Sequence, residues 1–97
     1  KPSDYLPSLC SKVDCSEKAK RTAYSVVTKM EQNYKFNGRN PMVICATALW
    51  LTLKQTTFST TQSKFCEACG ISSVSLRNTL KFIRKNNFEG IFINDCT

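Results

Sequence analysis

Apolar residues recur along most of this chain at steps of three and four, the period of an α-helix with one dry face. In "SDYLPSLCSKV" the apolar positions are Tyr5, Leu6, Leu9, Cys10 and Val13. They predict a short first helix capped by Ser3, with Pro7 tolerated only in its first turn or as a bend. From Ser16 onward, Ala19, Ala23, Val26, Val27, Met30 and Tyr34 keep the same spacing, with charged residues between them. The pattern predicts a second helix of about five turns, stopped at Asn37-Gly38, where a left-handed residue suits a helix C-terminus.

A different pattern follows in "NPMVICATALWLTLKQ". Asn40 is placed to cap a helix and Pro41 fits its first position. From Met42 to Leu53 there is no charge, and only Thr47 and Thr52 are polar. A helix apolar on all sides is buried on all sides, so this segment is the expected centre of the fold. Small residues at Cys45, Ala46 and Ala48 let neighbours approach closely. The run is shorter than the roughly 18–20 apolar residues a membrane span requires, so no membrane is expected. After the polar "QTTFSTT", a fourth helix is predicted from about Thr61 to Cys69, closing at Gly70. The turn Ile71-Ser72-Ser73 leads into a fifth helix from about Ser73 to Asn87, and "FEGIFINDCT" reads as an irregular closing strap. The expectation is one all-α unit over residues 1–97, with a helix-turn-helix formed by its last two helices.

In the fifth helix, Leu76, Leu80 and Ile83 fall within about 60° of arc, and Val74, Arg77, Asn78 and Lys81 take the far side. Arg84 and Lys85 extend that far side, and the helix contains no acid. Lys and Arg outnumber Asp and Glu by 14 to 7, a net charge of +7 that favours a polyanionic partner through counterion release. A cationic helix with one amide and no anion suits the major groove of DNA. There Arg takes guanine bidentately, Asn takes adenine, and Val meets a thymine methyl. The bland alternative is a solvated basic surface on an ordinary helix.

Histidine is absent, which removes the commonest general base and the commonest metal ligand. With only seven scattered acids there is no paired-carboxylate set, so neither an enzyme, a small-molecule substrate nor a cofactor is expected. The six cysteines include Cys66-x-x-Cys69, without a second such pair to complete a metal site. A redox pair sits at a helix N-terminus, where the dipole lowers a thiol pKa, whereas these fall at a predicted C-terminus. Cys66 and Cys69, like Cys45, therefore read as small core residues, with a disulfide or a metal or redox site as the alternatives.

The residues resemble a known family. The chain is similar to one cyclin-like repeat of general transcription factor IIB, most closely the second, C-terminal repeat, over about residues 4–93. "DYLPSLCSKV" resembles the opening helix and "GRNPMVICATALWL" the Gly-Arg-x-Pro followed by a small-residue-rich buried helix. "TTQSKFCEACGISSVSLRNTLKFI" resembles the helix-turn-helix, with Val74 and Arg77 in its Val-x-x-Arg. The resemblance implies a five-helix cyclin-like repeat, here as a fragment of a longer protein or a lone repeat put to another use. Its helix-turn-helix would read double-stranded promoter DNA beside TATA-binding protein and help recruit RNA polymerase, in a nuclear, reducing setting. Val74 and Arg77, with Asn78 beside them, would meet bases. Arg39, Thr61, Gln62, Lys81, Arg84 and Lys85 would meet phosphates. Ile44, Cys45 and Trp50 are bulkier than the family's Ala or Gly. Two other functions remain open: a cyclin fold that binds protein without DNA, and a secreted disulfide-stapled helical protein, suggested by the even cysteine count.

Overall fold

A computed structural model describes residues 1–13, 15–54 and 60–86. Five α-helices follow one another: α1 (Leu6–Val13), α2 (Glu17–Gln32), α3 (Pro41–Leu53), α4 (Gln62–Cys69) and α5 (Ser73–Lys85). No strand occurs among the described residues. Residues 55–59 and 87–97, with the strap predicted there, lie outside them.

The chain's beginning differs from the local pattern. Residues Pro2–Tyr5 form a 3-10 turn, and α1 starts only at Leu6 with Pro7 in its first turn. Ser3 caps nothing; its amide donates instead to Glu31 Oε1 of α2 at 2.6 Å. A carboxylate distant in sequence has taken the place of a local cap.

The second helix also ends earlier than its spacing suggests. Asn33 adopts an extended conformation (φ −92°, ψ 117°), and its Oδ1 accepts the Lys35 amide at 3.0 Å. That side-chain turn competes with the helix and wins, giving a 3-10 turn over Tyr34–Phe36. Tyr34 consequently leaves the dry face and is 75% exposed, while Phe36 enters the core. The left-handed Gly38 (φ +85°) thus reverses a loop rather than closing a helix.

At the centre, Asn40 Oδ1 accepts the Met42 amide at 2.9 Å and Pro41 occupies the first position of α3. Every residue from Ile44 to Leu53 is buried. The two threonines in that stretch return their hydroxyls to the helix's own carbonyls, Thr47 Oγ1 to Val43 O at 2.7 Å and Thr52 Oγ1 to Ala48 O at 3.0 Å. Neither then leaves an unpaired donor in the core, where it would cost about 1–3 kcal/mol. All four other helices pack against α3. The core joins Leu6 and Leu9 of α1, Val26, Val27 and Met30 of α2, Phe65 of α4, and Leu76 and Ile83 of α5. Each such side chain contributes roughly 1.5–3 kcal/mol by leaving water.

Candidate nucleic-acid interface

The last two helices owe their mutual angle to three local devices. Thr61 Oγ1 caps α4 by accepting the Lys64 amide at 3.2 Å. Gly70 then closes α4 in the left-handed region (φ 76°, ψ 28°). Its amide donates to Glu67 O at 3.3 Å and the Ile71 amide to Cys66 O at 3.0 Å, the paired bonds of a Schellman motif. Ser72 opens α5 by accepting the Ser75 amide at 3.1 Å. The result is a helix, a tight turn and a second helix.

Leu76, Thr79, Leu80 and Ile83 of α5 are buried. Thr79 donates its hydroxyl to Ser75 O at 3.0 Å, so its burial leaves no orphan donor. On the opposite side Val74 is 58% exposed. Arg77, Asn78, Lys81, Arg84 and Lys85 are exposed with it. The sequence contains no acid between Ser73 and Lys85 to neutralise this face. Its width, charge and single exposed methyl-bearing side chain fit a groove lined with phosphates and base edges.

Arg39 belongs to this surface through a contact that the sequence does not announce. Its guanidinium carbon lies 4.0 Å from the centroid of the Phe82 ring of α5. Phe36 meets the same ring edge-on, with centroids 5.2 Å apart. A cavity of about 200 Å³ opens between Arg39, Asn40 and Val43 on one wall and Ser75, Asn78 and Thr79 on the other. Arg39 and Asn78 thus border one cleft. Thr61 and Gln62 stand at the start of α4, with the Thr61 hydroxyl already engaged as a cap. Sequence reading missed Phe82 and Phe36, since aromatic residues at helical spacing carry no local sign of what they will hold.

The thiols read differently from the cationic face. Cys45, Cys66 and Cys69 are buried, and the five described cysteines are free thiols. Burial, reinforced by neighbouring Cys66, pushes the Cys69 thiol up to about 11. Burial first, then Cys69, pushes Cys45 up to about 12. Such groups stay protonated near neutrality and are poor ligands and nucleophiles. No group of three or more Cys, Asp or Glu placed to hold a metal ion occurs among the described residues. Nor is any described helix long and apolar enough to cross a membrane.

The family model described as the transcription factor TFIIB repeat matches residues 1–86. The chain belongs to the TFIIB repeat family. Its fold is accordingly the cyclin-like all-α fold of that family. Similar proteins include transcription initiation factor IIB of Archaeoglobus fulgidus, 29% identical over 82% of this chain and 24% of the relative. Transcription initiation factor IIB of Methanopyrus kandleri is 29% identical over 84% of this chain and 27% of its own length. Transcription initiation factor IIB 1 of Thermococcus kodakarensis is 27% identical over 92% and 30% respectively. The TFIIB-like chain therefore spans about a quarter of the length of the curated relatives it matches.

Proposed function

We propose that this TFIIB repeat is a promoter-DNA-binding module of a transcription initiation factor, with α5 lying in the major groove. The observation that carries the reading is the division of α5 into a buried leucine side and an exposed side bearing Val74, Arg77, Asn78 and Lys81 with no acid. Arg77 and Val74, the positions to which the family resemblance gives base contacts, and Asn78 beside them meet base edges. Lys81, Arg84, Lys85, Arg39 and the start of α4 at Thr61 and Gln62 meet phosphates. TATA-binding protein and RNA polymerase are the protein partners that family membership suggests, and DNA binding places the protein inside the cell. No catalytic role is proposed.

Fluorescence anisotropy with labelled duplexes tests this. Binding should weaken steeply with added salt, because each neutralised phosphate releases a counterion. Arg77→Ala should cost about 1–3 kcal/mol on a preferred sequence and flatten preference between sequences. Lys81→Ala should weaken all sequences alike and lower the salt slope by about 1. Equal loss on every duplex from Arg77→Ala would remove its reading role. Salt-sensitive binding to TATA-binding protein with none to duplex DNA would favour a protein-interaction repeat instead.

A further inference from the structure

The outward face of α5 does not end at its own side chains. Along one flank, Phe82 and the following Asn86 are met by the turn that follows α2. Lys35 Nζ donates to Asn86 Oδ1 at 3.5 Å, Phe36 packs edge-on against Phe82, and the Arg39 guanidinium lies over the Phe82 ring. The Arg39 amide in turn donates to Phe36 O at 3.2 Å, closing the turn on itself. Three separate contacts thus fix residues 35–39 to the recognition helix.

A ring face offers a cation electrostatic attraction but no acceptor oxygen. Arg39 is therefore held in place while its N–H donors stay available to an anion, and no salt bridge occupies it among the described residues. The cleft it borders is also lined by Asn78, one of the residues proposed to face bases.

We propose that Phe82 is a positioning residue of the DNA interface, presenting Arg39 to a backbone phosphate seated at the mouth of the Arg39–Asn78 cleft. The inference rests on the duplex-binding reading above. A phosphate clamped there fixes the register of α5 in the groove, so Asn78 faces the same base step each time the protein docks. The turn carries Lys35 and the 75% exposed Tyr34 alongside, widening the contact beyond the helix-turn-helix.

The test compares the 97-residue chain with Arg39→Ala, Phe82→Leu, their double variant and Phe82→Trp, by anisotropy on one duplex across a salt series. Arg39→Ala should lower the salt slope by about 1. Phe82→Leu should lower it by a similar amount although no charge is lost, and the double variant should bind no more weakly than Arg39→Ala. Phe82→Trp, which restores a ring face, should keep the full slope. A merely structural ring would predict otherwise: Phe82→Leu would lose helicity by circular dichroism, or bind more weakly at an unchanged slope. An unchanged slope in Phe82→Leu, or additive losses in the double variant, overturns the positioning role while duplex binding stands. Absence of duplex binding by the unaltered chain overturns both readings.

Discussion

A thiol enclosed by helices loses the water that would stabilise its thiolate, and three cysteines here feel that loss. Burial pushes Cys10 up to about 12 from the usual 9.0, with the adjoining Cys15 thiol adding to it, and does the same to Cys45. Cys69 follows at about 11. Because each folded value lies above the unfolded one, the unfolded chain sheds these protons first as pH rises. Stability is then full below about pH 9 and drains away between about 9 and 12. Urea midpoints measured from pH 8 upward should fall across that window, and the fall should be shallower in Cys45→Ala. An identical slope in the variant would exclude Cys45 as a source of the alkaline loss. At Cys69, a buried thiol at a helix C-terminus, the same protonation suits packing better than metal or redox chemistry.

Helix endings separate what was legible in the sequence from what was not. Gly70 could be read directly, because a glycine after a helical run is the residue that adopts positive φ without a Cβ penalty. The structure adds that a Cβ there would meet nothing within 4 Å, so its requirement is conformational and not steric. Gly70→Ala should therefore cost about 1 kcal/mol. That corresponds to about 4–8 °C in melting temperature for a domain of this size. Duplex affinity well below melting should be unchanged, whereas a large affinity loss at full helicity would mean that the turn itself touches DNA. The end of α2 was not legible, because Tyr34 continues the apolar spacing and the competing Asn33 turn is equally local. The burial of Phe36 against Phe82 adds to that local turn, and this contact joins segments far apart in sequence. The α5 face was readable because a helix wheel depends on one segment alone. Its partnership with Arg39 depends on two.

Those dependences converge on α3, which every other helix touches and which carries the chain's single tryptophan. Trp50 is 6% exposed and packs against Phe65 of α4 with ring centroids 5.0 Å apart. Its fluorescence therefore reports on the seam between the central rod and the helix-turn-helix, while far-UV circular dichroism reports on all five helices. If α4 and α5 are part of one cooperative unit with α3, the two signals should trace a single urea transition. Phe65→Ala, which empties the α4 side of that seam, should lower both midpoints together and cost about 3–5 kcal/mol. Since a small domain has only about 5–15 kcal/mol in total, the variant should remain folded at low temperature but melt early. Duplex binding measured there should persist, because Phe65 lies in the core and not on the α5 face. A fluorescence transition that moved alone would show α4 and α5 undocking from α3 as a separate unit. Arg77 and Asn78 would then lose their fixed relation to Arg39 before the rest of the chain unfolds.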